Sequence, residues 1–192
     1  MSVAPTAWKA LILGGVRSGK SRHADALARA QGRAVTVIAT GVAQDEEMAA
    51  RIEAHRNSRS PEWNVIEEPI RLAAALRAAA ASQDVVIVDC LTLWLSNLLC
   101  GDDPDALRRE SAALLDTLAT LGTPCIMVSN EVGLGIIPAS ALARRFGDEA
   151  GVLHQRVAAL CDRVILMLAG LPLAIKGPGA AAGTAPSPPR AP

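Results

Sequence analysis

Short, nearly all-apolar runs alternate along this chain with longer segments in which apolar residues recur every three or four positions. The runs "KALILG" (9–14), "AVTVIAT" (34–40), "DVVIVDC" (84–90), "PCIMVSN" (124–130) and "DRVILMLAG" (162–170) are rich in Val and Ile. They lack the alternation of a strand with one wet face, so they predict strands buried on both sides. "WNVIEE" (63–68) is a shorter and weaker strand. Helical periodicity covers 21–30, 44–57, 70–80, 104–121 and 138–160. This order predicts an α/β fold, a mainly parallel sheet flanked by helices. Residues 1–176 are expected to form one domain. The Pro-, Gly- and Ala-rich segment 177–192 has no core residues and is expected to be a disordered tail.

At 192 residues the chain can bury a core without disulfide or metal staples. Its 19 Lys and Arg balance 19 Asp and Glu, so no global field draws it to nucleic acid or an anionic membrane. Apolar stretches such as "LTLWLSNLLC" fall far short of the ~20 residues a membrane span needs. The opening "MSVAPTAWKA" lacks the basic and long apolar regions of a signal peptide. Cys90, Cys100, Cys125 and Cys161 form no C-x-x-C pair and suit the reduced, buried thiols of a cytoplasmic protein.

Where the first strand ends, "GGVRSGKS" places Gly14, Gly15, Val16, Arg17, Ser18, Gly19, Lys20 and Ser21 between a strand and a helix. The spacing is that of a P-loop. Its glycines let backbone N–H groups converge on one anion, the following helix adds its positive dipole end, and Lys20 supplies an ammonium. The Ser21 hydroxyl can ligate Mg²⁺. Such an enzyme also needs a carboxylate near the magnesium, at the end of a neighbouring buried strand, and "VVIVDC" offers Asp89. Asp84, at the opposite end of that strand, is a poor candidate.

In "DEEMAARIEAHRNSRS", helical spacing turns Met48 and Ile52 inward and sets Arg51 and His55, an i, i+4 pair, on another face. An imidazole among guanidiniums can attack phosphorus while the arginines hold phosphate oxygens, though an exposed histidine among solvated charges fits the residues as well. His23 and His154 read as helix-surface residues. From these residues, a single-activity small-molecule kinase and a GTP-binding regulatory protein both remain open.

The chain resembles the bifunctional adenosylcobinamide kinase / adenosylcobinamide-phosphate guanylyltransferase family of cobalamin biosynthesis. The resemblance runs from about residue 10 to 176, on "GGVRSGKSRHAD", "IATG", "DEEMAARIEAHR", "PEWNVIEEP", "VVIVDCLTLWLSNLL", "SNEVGLGIIP" and "GLPLAIK". It implies a P-loop NTPase fold of the RecA type and two reactions: phosphorylation of adenosylcobinamide by ATP or GTP, then transfer of GMP from GTP through a guanylyl-histidine. The family's nucleophile falls on His55. Its nucleotide contacts fall on Gly14 to Ser21, on Ala39, Thr40 and Gly41, on Arg56, Asn57, Ser58 and Arg59, and on Glu67 and Asp89. The resemblance also implies a homotrimer. Val152 and His154 stand where relatives often carry arginine and asparagine.

Overall fold

The computed structural model describes residues 7–43, 45–82 and 84–180, apart from the Ser58 side chain. In chain order the elements are β1 (Lys9–Gly14), α1 (Lys20–Arg29), β2 (Val35–Ala39), α2 (Glu46–Ser58), β3 (Asn64–Glu67), α3 (Leu72–Ala81) and β4 (Val85–Asp89). There follow α4 (Leu91–Cys100), α5 (Ala106–Thr120), β5 (Cys125–Val128), α6 (Ala141–Leu160), β6 (Arg163–Leu168) and β7 (Leu171–Lys176). The strands form one sheet in the order β3-β2-β4-β5-β1-β6-β7, parallel except for the antiparallel pair β6–β7. This is the expected α/β class.

The apolar runs are continuous because both sheet faces are covered. In β4, Val86 and Val88 pack with Leu72, Leu76, Trp94 and Leu118, while Val85 and Ile87 pack with Ala24, Ala28 and Trp63 on the other face. In β1, Leu11 and Ile12 divide the same way. Fully burying such a side chain contributes roughly 1.5–3 kcal/mol.

Two elements go beyond the sequence expectation. "LTLWLSNLLC" forms α4, which buries Leu91, Thr92, Trp94, Leu95 and Leu98; with so little polar face, its helical period is masked. "LPLAIK" forms the edge strand β7, which closes the sheet beyond β6. The chain then turns at 177–180, with positive φ at Gly177 and Gly179. The remainder of the expected tail, 181–192, lies outside the described residues.

Other expectations are corrected. His154 is not a surface residue: it is buried, with Nε2 at 2.7 Å from the fully buried Ser129 hydroxyl at the end of β5. Burial holds its imidazole below the ordinary histidine range. His23 is half-buried, and burial lowers its pKa too. Of the four cysteines, all free, Cys100 is exposed rather than buried. Among the described residues, no helix is long and apolar enough to cross a membrane.

Candidate active site

In a parallel sheet every strand delivers its carboxyl end to the same rim, and ligands bind in the crevice there. The loop after β1, Ala39 closing β2, Glu67 closing β3 and Asp89 closing β4 all meet at this rim. The cleft beside them has a volume of about 860 Å³. Arg17, Lys20, Arg51, Arg56 and Arg59 line it against two carboxylates, Asp89 and Glu67. Cations thus outnumber carboxylates at this opening in a chain of zero net charge, and an anionic ligand is favoured there.

The loop between β1 and α1 is shaped by its glycines. Gly14 has φ 152°, and a Cβ there would sit 2.5 Å from the Met167 carbonyl and 2.6 Å from Ser18 Oγ. Gly19, at φ 96°, is left-handed and starts α1 without a side-chain cap, so the first N–H groups of the helix stay open toward the loop. Lys20 is buried; its ammonium donates to the Gly15 carbonyl at 2.5 Å and lies 3.5 Å from Ser18 Oγ. Burial lowers its pKa, against the charges of Cys90 and Asp89.

Asp89 is not on the strand next to β1, as expected, because β5 lies between β1 and β4. Two partners meet its Oδ2: His55 Nε2, in a short contact, and Arg59 Nη2 at 3.2 Å. Burial works to raise the Asp89 pKa, yet His55 and Arg59 outweigh it and hold the carboxyl below its usual range. Reciprocally, the hydrogen bond to Asp89 raises the pKa of His55 against the cost of burial. Asp84 instead accepts from Thr36 Oγ1 at 2.7 Å, away from this rim.

Helix α2 brings His55 here. Asp45 caps it by accepting from Met48 N at 2.7 Å, and Glu46 and Glu47 suit the positive end of its dipole. Its half-buried residues are Met48, Ile52 and His55, so His55 shares the inward face instead of pairing with Arg51. Arg51, on the border of the cleft, pairs with Glu47 at 2.5 Å. Gly41 lets the helix approach: a Cβ there would meet Ile52 Cδ1 and Leu93 Cδ1 at 3.3 Å.

The other expected residues divide. Val16, Ser21, Ala39, Gly41, Arg56 and Glu67 border the cleft, and Arg56 is paired with Glu67. Asn57 turns away to Glu53 at 3.2 Å. The Thr40 hydroxyl is fully buried, donating to the Cys90 carbonyl at 2.7 Å and accepting from Cys90 N at 3.0 Å. It braces the turn after β4 and points no oxygen at the cleft.

Two neighbours were not singled out from the sequence. Asp25 stands four residues after Ser21, hence on the same face of α1. Burial and the charge of Asp89 raise its pKa, while His55, Arg29 and Arg59 oppose them, so Asp25 belongs to the same electrostatic cluster. Asn130, just past β5, also lines the cleft; the sequence marked only the loop it opens.

The profile of the cobinamide kinase / cobinamide phosphate guanyltransferase family matches residues 10–175. The bifunctional adenosylcobalamin biosynthesis protein CobP of Pseudomonas aeruginosa is 53% identical over 167 residues, covering 87% of this chain and 96% of its own. The bifunctional adenosylcobalamin biosynthesis protein CobU of Escherichia coli is 40% identical over 179 residues, covering 86% of this chain and 98% of its own. A solved Pyrococcus horikoshii protein is similar in fold alone: TM-score 0.53 at 8% identity, covering 90% of this chain and 88% of its own.

Proposed function

The chain belongs to the cobinamide kinase / cobinamide phosphate guanyltransferase family, and from that premise we propose how its residues divide the family's two reactions. It is a bifunctional enzyme of cobalamin biosynthesis: it phosphorylates adenosylcobinamide and then transfers GMP from GTP to the product, giving adenosylcobinamide-GDP. A plain kinase and a GTP-binding regulatory protein are set aside, since the relatives are named as bifunctional enzymes. One observation carries the assignment of residues: a single cleft joins the glycine loop and Lys20 to His55, Arg59 and Asp89.

In the kinase step the N–H groups of the loop hold the donor's phosphates. Lys20 leaves the Gly15 carbonyl for a phosphate oxygen, a stronger, charge-assisted partner. The acceptor hydroxyl attacks the γ-phosphorus as the bond to the bridging oxygen breaks. In the guanylyl step a nitrogen of His55 attacks the α-phosphorus of GTP and pyrophosphate departs, its charge met by Lys20, Arg56 and Arg59. The phosphate of adenosylcobinamide phosphate then takes the GMP and restores the imidazole. Asp89 orients the ring and favours its protonated form, the better leaving group on this second transfer.

The donor set at the rim fits Mg²⁺, which takes hard oxygens, a few from protein and the rest from phosphate and water. Ser21 Oγ and Asp89 would hold it. His55 and Arg59 both engage Asp89 Oδ2, so Oδ1 is the oxygen assigned to the cation. When bound, the ion supplies charge neutralisation on the phosphates. Asp89→Asn keeps shape and removes the charge, so the magnesium midpoint of the kinase reaction should rise about tenfold or more. A titration with an unchanged midpoint rejects the metal role and leaves Asp89 as the partner of His55 and Arg59.

The self-associated state, a homotrimer, belongs to the same proposal. Leu134, Ile136 and Ile137 stand 85%, 97% and 78% exposed on one loop, an apolar surface of the kind that packs against another chain. Sedimentation should find a species near three times the 19.9 kDa chain; a monomer at micromolar concentration contradicts it. A cytoplasmic location accords with four unpaired thiols.

A further inference from the structure

The strand inserted between β1 and β4 has a consequence for the kinase step. The strand β1, whose loop leads to Lys20, and the strand β4, which ends in Asp89, lie two strand spacings apart, about 10 Å. What fills the interval at the rim is the end of β5 and the segment just after it, where Val128 and Asn130 line the cleft and Asn130 brings the polar side chain.

Asn130 is fixed from both sides. Its backbone N–H and its Nδ2 both donate to Thr92 Oγ1, at 3.3 and 3.2 Å. Thr92 is buried and lies 3.1 Å from the Sγ of Cys90, the residue that follows Asp89. On the other side, Ser129 N donates to the Ile12 carbonyl at 3.0 Å and Glu131 N to the Gly14 carbonyl at 3.0 Å. The backbone on either side of Asn130 is therefore tied to the phosphate loop's own strand, and its side-chain amide to the segment that carries Asp89. One Nδ2 hydrogen goes to Thr92, which leaves a second hydrogen and Oδ1 for the cleft. A donor held this rigidly changes little in geometry when charge develops beside it.

We propose that Asn130 contacts the transferring phosphoryl group in the kinase half-reaction and takes no essential part in guanylylation of His55. This rests on the bifunctional reading above. As the acceptor oxygen bonds to the γ-phosphorus and the bond to the bridging oxygen breaks, negative charge spreads over the equatorial oxygens. The remaining Nδ2 hydrogen donates to one of them and Oδ1 accepts from the incoming hydroxyl, whose proton ends in solvent; Asn130 itself gains and loses none. When His55 attacks the α-phosphorus instead, the γ-phosphoryl leaves intact within pyrophosphate, so a contact to it alters binding only.

The test uses the full chain. Asn130→Ala should lower kcat for phosphorylation of adenosylcobinamide about 100-fold, the usual cost of one lost donor to developing charge, with nucleotide KM within about threefold. The same protein should still take acid-labile label from α-labelled GTP to near the wild-type extent, which also certifies its fold. Thr92→Val, which frees the anchor, should show a smaller kcat loss, and Asn130→Ser, keeping a hydroxyl donor, a partial recovery over alanine. Kinase kcat within twofold of wild type in Asn130→Ala overturns the proposal. So does a parallel loss of both activities, which marks a structural role. A wild-type chain with neither activity would instead defeat the reading beneath it.

Discussion

His55→Ala should phosphorylate adenosylcobinamide at close to the wild-type rate and transfer no measurable GMP. Phosphoryl transfer to a hydroxyl needs positioning and charge stabilisation, which the loop and Lys20 provide, with no covalent enzyme intermediate. Guanylyl transfer through an imidazole passes through a phosphorus–nitrogen bond that alanine cannot form. The fold should survive, since His55 is only half-buried and alanine is a strong helix former at the last turn of α2. The variant also removes one of the contacts on Asp89 Oδ2 and leaves Arg59 at 3.2 Å to pair it. Coupled assays that follow adenosylcobinamide phosphate and pyrophosphate separately would check the split. Equal loss of both activities would mean that His55 serves the cleft as a whole.

Lys20→Ala should impair both reactions. Its ammonium lies inside the loop, 2.5 Å from the Gly15 carbonyl. The expected loss is about 2–4 kcal/mol of transition-state stabilisation in each half-reaction, roughly 30- to 1,000-fold in kcat/KM. Alanine as the first residue of α1 keeps the helix, so a well-folded variant is expected. Arginine should restore little, because a planar guanidinium does not fit a space closed by Gly15 and Ser18. Near-normal kinase turnover in Lys20→Ala would separate the glycine loop from phosphoryl transfer.

The parts of this site that the sequence discloses are those made by neighbours in the chain. "GGVRSGKS" names its own geometry because strand, loop and helix are contiguous, and four apolar residues before Asp89 announce a buried strand ending at the rim. Contacts between distant segments are less legible. That β5 separates β1 from β4 depends on the order of strands in space, and Asn130 gains its position only from that order. His154 reads as a surface residue, yet it is buried and hydrogen-bonded to Ser129, 25 positions earlier. The turn of α2 falls between. Met48, Ile52 and His55 are spaced as one helical face, yet the charges around His55 suggest its i, i+4 pairing with Arg51 instead. Helix α4 is hidden for the opposite reason, as burial on nearly all sides erases its periodicity.

On the proposal above, one cleft carries both the phosphate loop and a histidine that becomes guanylylated. This is tested most directly by incubating the chain with Mg²⁺ and GTP labelled at the α-phosphorus, then denaturing it and following the label. A phosphorus–nitrogen bond to imidazole breaks in acid, where the protonated ring is a good leaving group, and survives alkali. Wild-type protein should therefore hold label that acid removes and base does not. γ-Labelled GTP should leave none, since that phosphorus departs with pyrophosphate, and His55→Ala should stay unlabelled. Acid-labile α-label on His55→Ala would place the nucleophile elsewhere and contradict the account.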